Sequence, residues 1–217
     1  DSTNNEVKRR ALAGAADGLA VVAEQQTGGR GRRGRSFVSP AGQGLYLSVL
    51  LRPRCPLEEV SALTAWTAVA VCNAVERVCG VRPGIKWPND VILDGRKLCG
   101  ILTELELEAE TAALRHVVVG VGINLTQIAA DFGPEVAPVA VSLAQALGRA
   151  PRRAEMAAAV LVALDELYAA FPAERAAWLE RYRADCLTLG RTVRLLRAGG
   201  EEEAFAEAGD DTFALVV

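Results

Sequence analysis

The sequence predicts an α+β fold in which a mixed, largely antiparallel central sheet is packed with helices. Three features carry that expectation. Residues 85–123 join short apolar runs by turn signals, apolar residues recur at helical spacing through 58–79 and again through 141–184, and beyond Gly190 the pattern turns to short strands. The chain has 217 residues, 51% of them apolar, which suffices for one domain with a substantial core and a small appendage.

Taken in order, residues 19–24 read as a short buried strand, followed by a loop rich in glycine and arginine and a second strand at 45–51. Strand, long polar loop, strand is a common frame for a site. From Glu58 to Cys79, the residues Val60, Leu63, Trp66, Val69, Ala70, Val75 and Val78 recur at helical spacing, with acidic residues in the first turn where the helix dipole favours them. Residues 85–93 look extended and are broken at Pro88. Asp94-Gly95 is a hairpin signal leading into a strand at 97–107, and a second hairpin joins that strand to 115–123. After a loop containing Pro134 and Pro138, helices are expected near 141–147, 152–171 and 173–184, with Tyr168 and Trp178 read as core rather than cofactor ligands.

Strands at 192–196 and 213–217, around a Gly199-Gly200 turn, open a small all-β module. The acidic run Glu201-Glu202-Glu203 reads as a solvated turn. The expected division is a main domain over 1–188 and a small β domain over 189–217, incomplete at Val217 and leaning on the main domain.

Composition narrows the function classes. A formal net charge of -3 gives no general basic excess of the kind nucleic-acid binders show. No stretch approaches the roughly 18 uninterrupted apolar residues of a membrane span, and no charged-then-apolar leader is visible, so a soluble protein is expected. The 5 cysteines are odd in number and contain no C-x-x-C pair, which fits a reducing cytoplasm better than a disulfide framework. The only histidine, His116, sits beside Val117-Val118-Val119 and reads as a structural strand residue. A Ser-His-Asp triad or a histidine-rich metal site would have to be built on it alone, so no protein metal site is expected.

Local motifs say more. In Gly29-Arg30-Gly31-Arg32-Arg33-Gly34-Arg35, glycines let the backbone approach a bound group while guanidiniums bind phosphate or carboxylate through paired hydrogen bonds. An RNA-binding arginine-glycine tract, a nuclear localisation run or a disordered surface loop would share that composition. The preceding residues Ala23 to Thr27 anchor the loop to a strand, unlike a low-complexity tail. Lys86-Trp87-Pro88-Asn89-Asp90 then packs a cation, a large ring and a carboxylate into one turn, where a bare strand end would do structurally. Lys97 stands at the mouth of an apolar strand with Gly100 three residues on, and Gly120-Val121-Gly122 lies on the neighbouring strand. Two glycine-bearing strands side by side leave room for a flat ring system.

Together these segments resemble the biotin protein ligases, in the family's order and through almost the entire chain. The resemblance runs from Asp1-Ser2-Thr3-Asn4 through Gln26 and the arginine-glycine loop, Ser39-Pro40 with Gly42, the Lys86 to Asp90 run, Lys97 to Leu102 and Gly120 to Asn124. It implies the biotin/lipoate ligase fold, similar to class II synthetases, with a small SH3-like C-terminal module. It implies an ATP-dependent ligase that forms biotinyl-5′-AMP and transfers biotin to a specific lysine of a biotin carboxyl carrier domain, as a biotin–[acetyl-CoA-carboxylase] ligase does. ATP and biotin are then substrates, Mg²⁺ accompanies ATP, the carrier domain is the protein partner, a homodimer is an allowed assembly, and neither membrane nor nucleic acid is a partner of this chain.

By the same resemblance, Ser2, Thr3, Asn4, Gln26, Arg30, Gly31 and Arg32 contact biotin, and Lys97 reaches its carboxylate or the ester formed from it. Arg30, Arg32, Arg33, Arg35, Lys86, Trp87, Asn89 and Asn124 fall to ATP and the adenylate. Lys97, Asp90 and Arg32 are the catalytic candidates, Asp90 as the carboxylate that accepts or orients the carrier lysine's proton. The loop is expected to be a mobile lid. A lipoate ligase is the nearest rival, and the loop and K-W-P-N-D run tell against it. A biotin-responsive repressor would need a helix-turn-helix ahead of residue 1, and an RNA-binding module would need more basic surface and stacking aromatics.

Overall fold

The computed structural model describes residues 1–197 and 200–217, so Gly199 of the expected Gly199-Gly200 turn lies outside the described residues. The chain opens with α1 (Thr3–Leu12), a helix to which the sequence pattern gives little signal. Ser2 caps it, its Oγ accepting from the Asn5 amide at 3.2 Å and satisfying one of the first turn's orphan donors. Only Thr3, Asn4, Val7 and Ala11 of this helix are buried. Half of that buried stripe is polar, so hydrophobic periodicity barely registers.

Strand β1 (Ala20–Ala23) leads through the arginine-glycine loop to β2 (Gly44–Leu51). The single helix expected over 58–79 is two pieces, α2 (Leu57–Val60) and α3 (Leu63–Cys79). Ala62 donates its amide to Glu59 O at 3.1 Å, a tight turn, before Trp66 resumes α spacing by donating to Ala62 O at 2.9 Å. The expected meander follows as β3 (Gly84–Lys86), β4 (Asp90–Leu93), β5 (Arg96–Leu107) and β6 (Leu114–Asn124).

These strands form one six-stranded sheet in the order β1-β2-β6-β5-β4-β3. Every neighbouring pair is antiparallel. The parallel contribution is confined to isolated bridges, Ile85 with Cys186 and Lys97 with Ala140. Then come α4 (Ala129–Phe132), α5 (Leu143–Leu147), α6 (Arg153–Ala170) and α7 (Arg175–Asp185).

The two-residue period of the strands decides what each face does. Leu45, Leu47, Val49 and Leu51 of β2, with Val117, Val119, Val121 and Ile123 of β6, enter the core shared with α3, α6 and α7. There Trp66 stacks on Trp178 at 4.8 Å and meets Phe171 edge-on at 5.0 Å. On the opposite face Leu50 and Val118 pack with Val7 and Ala11 of α1 into a second, smaller core. Farther along that face β6 carries Gly120 and Gly122, where the strand has no side chains of its own.

Beyond α7, β7 (Thr192–Arg197) pairs with β8 (Gly200–Phe205), and β9 (Ala208–Gly209) with β10 (Leu215–Val216). The acidic run Glu201 to Glu203 is therefore strand, not turn: it pairs with Leu196, Leu195 and Arg194 of β7. All three glutamates are exposed, so the strand lacks the apolar alternation that would announce it. Among the described residues no helix is long and apolar enough to cross a membrane.

Candidate functional site

A cavity of about 320 Å³ opens on the glycine-bearing face, between the N-terminus of α1, the arginine-glycine loop, the Trp87 to Asp90 segment and strands β5 and β6. Its floor is set by register. Gly100 of β5 pairs with Gly122 of β6, and Leu102 with Gly120. The flat space that two adjacent glycine strands leave is filled by Phe37. A β-carbon built on Gly122 would lie 2.6 Å from Phe37 Cε1, and one on Gly100 would lie 3.3 Å from Phe37 Cε2. The space over Gly120 is taken by the Asn4 side chain in the same sense.

One wall is a relay of polar side chains. Thr3 donates both its amide (2.9 Å) and its hydroxyl (3.1 Å) to Gln26 Oε1, and Gln26 Nε2 donates to Ser39 Oγ at 2.9 Å. Ser39 in turn donates to Phe37 O at 3.0 Å. From beneath, the buried Ser48 Oγ lies 2.7 Å from Thr3 Oγ1 and 2.5 Å from Asn4 Oδ1. Ser2, Thr3 and Asn4 are themselves only 4–5% exposed, so their positions are fixed by packing as well as by hydrogen bonds.

The roof is the arginine-glycine loop, closed by an antiparallel bridge between Arg30 and Ser36 and by Gly31 donating to Arg35 O at 2.6 Å. Arg33 turns the chain with φ 56 and Gly34 follows at φ 74, the left-handed region in which glycine carries no penalty. Arg32 Nη1 donates to Asn89 Oδ1 at 3.0 Å, and Arg30 Nη2 lies 2.5 Å from Glu104 Oε2.

The far wall rests on Asn89, whose Nδ2 donates to Ile101 O at 2.8 Å, and on Trp87, whose indole N–H donates to Phe213 O at 2.9 Å. Asp90 Oδ1 lies 2.7 Å from Lys97 Nζ, an ion pair at the mouth of β5. The Lys97 backbone is pinned on both sides, donating to Val139 O (2.7 Å) and accepting from Val141 N (3.0 Å).

The structure thus brings Ser2, Thr3, Asn4, Gln26, Arg30, Gly31, Arg32, Arg33, Arg35, Trp87, Asn89, Asp90 and Lys97 to one cavity. Lys86 and Asn124 are not among its lining residues. Lys86 is exposed on β3. Asn124 is 3% exposed, and its Nδ2 donates to Lys97 O (3.3 Å) and Val141 O (3.1 Å), which makes it a prop for the lysine's backbone. Residues the motifs did not single out also line the cavity, including Ser36, Phe37 and Leu47. The one sequence signal for the place of Phe37 is the pair of glycines it covers, Gly100 and Gly122.

The electrostatics favour an anion. Four arginines and Lys97 line the cavity, opposed by the single carboxylate of Asp90. Among the described residues no group of three or more His, Cys, Asp or Glu side chains could hold a metal ion. Cys99, buried in β5 behind the floor, has its thiol pushed up by burial and is no nucleophile here.

A glycine floor, a hydrogen-bonded polar wall and a cationic roof define a cavity whose shape and charge suit a small anionic molecule. The Biotin/lipoate A/B protein ligase family model matches residues 1–124, more than half of the chain. The chain belongs to that family. The biotin–[acetyl-CoA-carboxylase] ligase of Mycobacterium tuberculosis is 37% identical over 206 residues, covering 93% of this chain and 73% of that protein. The bifunctional ligase/repressor BirA of Bacillus subtilis is 40% identical over 167 residues, 77% of this chain; this chain spans about half of it, 51%. Among solved structures, biotin protein ligase from Aquifex aeolicus in complex with biotin and ATP superposes with a TM-score of 0.81 at 29% identity, covering 99% of this chain and 87% of that one.

Proposed function

We propose that this chain activates biotin with ATP to biotinyl-5′-AMP and passes the biotinyl group to a specific lysine of a biotin carboxyl carrier domain, as a biotin–[acetyl-CoA-carboxylase] ligase. The observation that carries the reading is the convergence of four lid arginines, Lys97 and Asp90 over one glycine floor. Membership in the ligase family and the names of the Mycobacterium and Aquifex relatives support it.

The chemistry explains the residue types. In the first step a carboxylate oxygen attacks the α-phosphorus of ATP and pyrophosphate leaves, so two anions must be pressed together. Guanidiniums aimed at the phosphates offset that repulsion, worth several kcal/mol in a site shielded from water. Arg30, Arg32, Arg33 and Arg35 take this role, with Trp87 and Asn89 completing the nucleotide side. Ser2, Thr3, Asn4, Gln26 and Gly31, with Arg30 and Arg32, hold the biotin end. Lys97 turns from Asp90 to the biotin carboxylate and then to the adenylate's anhydride.

The product is a mixed anhydride that acylates amines. Arginine in the lid stays protonated and does not become a nucleophile, whereas a lysine lid would risk acylating itself. In the second step the carrier lysine must lose a proton, the new amide N–C bond forms, and AMP leaves with the bonding pair. Asp90, once Lys97 faces the ligand, is the carboxylate that accepts or orients that proton.

Mg²⁺ fits as a companion of the nucleotide rather than a protein-held ion, since among the described residues Asp90 is the only carboxylate that lines the cavity, and it is paired with Lys97. Bound that way it neutralises phosphate charge. Residues 1–188 form the catalytic domain in this reading and 189–217 a small C-terminal β domain. ATP supply and a carboxylase partner put the reaction in the cytoplasm, and a homodimer is compatible with it.

The test is direct: incubate the protein with ATP, Mg²⁺ and either biotin or lipoate, and measure pyrophosphate release and the acyl-adenylate formed. Biotin-dependent release with no lipoate-dependent release is expected. The reverse preference would replace the reading with a lipoate ligase.

A further inference from the structure

Glu104 stands on β5 two residues beyond Leu102, on the same strand face as the cavity floor, yet it does not line the main cavity. Its carboxylate is the meeting point of three donors from two other parts of the chain. Lys8 Nζ lies 2.6 Å from Oε1, while Asn4 Nδ2 (2.8 Å) and Arg30 Nη2 (2.5 Å) both lie on Oε2. Asn4 and Lys8 are one helical turn apart on α1, and Arg30 belongs to the lid.

Asn4 and Arg30 both line the cavity, so one carboxylate beside the site contacts two of its walls. The Asn4 amide is oriented from both ends, its Nδ2 donating to Glu104 and its Oδ1 facing Ser48 Oγ. The lid itself is fastened to the body by few contacts: Arg30 to Glu104, Arg32 to Asn89, and Phe37 on the floor. Burial works against the charge on Glu104, but the hydrogen bonds from Lys8 and Asn4 and the charges of Lys8 and Arg30 outweigh it and hold its pKa below the ordinary value.

We propose that Glu104 is a positioning residue, a latch that holds the arginine lid through Arg30 and the α1 wall through Asn4, so that the lid's opening and the shape of that wall are coupled. As a statement about retention of biotinyl-adenylate it rests on the ligase reading; as a statement about the lid it does not.

Limited trypsin digestion of the full chain reads the lid directly, because the enzyme cuts after Arg30, Arg32, Arg33 and Arg35 once the loop leaves the body. Glu104→Gln is expected to speed cleavage there by about three- to fivefold, the range open to one partly exposed ion pair. The same variant should release preformed biotinyl-adenylate faster by a similar factor and raise KM for biotin more than it lowers kcat. Lys8→Met removes a partner of the other carboxylate oxygen while leaving the Arg30 arm, and should cleave at the wild-type rate. If Glu104→Gln is cut no faster than wild type, or Lys8→Met is cut as fast as Glu104→Gln, the latch is refuted. Should Glu104→Gln lose its circular dichroism, Glu104→Asp, which keeps the charge and shortens the reach, carries the same comparison. A wild-type protein that releases no pyrophosphate with biotin refutes the ligase reading alone, and the digestion still decides the latch.

Discussion

A β-carbon on Gly122 would meet Phe37 Cε1 at 2.6 Å and Cζ at 2.8 Å, closer than side chains pack, whereas one on Gly100 would find its nearest neighbours at 3.2–3.3 Å. Gly122→Ala therefore drives the Phe37 ring off the floor and leaves a methyl group in the cavity proposed for biotin. Overpacking of this kind costs ~1–3 kcal/mol, so biotin affinity by calorimetry should fall about tenfold or more, with a smaller loss in Gly100→Ala. Equal affinities in the two variants would show that the floor does not bear on the ligand. The Asp90–Lys97 pair makes a different demand. Asp90→Ala should slow transfer from preformed biotinyl-adenylate by about 10²-fold or more, the loss expected for a proton acceptor, while biotin affinity stays within about threefold. Unchanged transfer in single-turnover assays would remove Asp90 from that role. At this scale, the residues legible in the sequence were those that motifs hold together, such as Arg30 to Arg35 and Trp87 to Asp90. Phe37 and Glu104 were not, because their partners lie far along the chain, Gly122 for one and Lys8 for the other, and only register and helix packing bring them near.

Strand β6 shows how one element serves two faces. Val117, Val119 and Val121 face the large core, Val118 and the glycines lie on the opposite face, and His116 near its start is 2% exposed, with neither ring nitrogen hydrogen-bonded. Burial lowers the His116 pKa below 6.5, helped by Arg52, Arg115 and Lys8 and opposed by Glu106. The unfolded chain thus takes up a proton at higher pH than the folded one. Stability from this group is complete above the ordinary histidine value of about 6.5 and is lost as pH falls through it toward the folded value. Thermal unfolding followed from about pH 8 to 5.5 should show a Tm decline in that window which His116→Phe flattens; parallel curves for the two proteins would exclude it. The strands of the main sheet and the bodies of α3, α6 and α7 were legible because apolar residues recur along them, though not the break between α2 and α3, and the meander over 85–123 formed as expected. Helix α1 and strand β8 were not, for a shared reason. Each shows water or other polar groups most of what it carries, Glu201 to Glu203 in one and Asn4 to Arg10 in the other, and a polar surface has no period to read.

Across the whole molecule, the C-terminal segment is tied to the face that carries the cavity. Phe213, 6% exposed, enters the main core and meets Tyr182 edge-on at 5.5 Å, while its carbonyl accepts the Trp87 indole N–H at 2.9 Å. Arg183 donates through Nε (3.0 Å) and Nη2 (2.6 Å) to Gly209 O, and Arg175 donates to Asp211 O. Phe213 adopts φ 64, a conformation that a bulky residue keeps only where surrounding contacts enforce it. Trp87 lines the cavity beside Asn89, so the small C-terminal segment sets from behind one edge of the side proposed for the nucleotide. Phe213→Ala removes the ring while leaving the backbone acceptor in the chain. Emptying a buried aromatic site costs about 3 kcal/mol or more, which for a chain of this size lowers Tm by about 6 °C or more. Because the carbonyl is then no longer held against the indole, KM for ATP should rise while KM for biotin, whose proposed contacts lie on the α1 wall across the cavity, stays near wild type. Leu196→Ala on β7, where the side chain is 54% exposed, should change neither. A Phe213→Ala protein with lowered Tm and an unchanged KM for ATP would make the C-terminal segment a stabilising appendage without influence on the site.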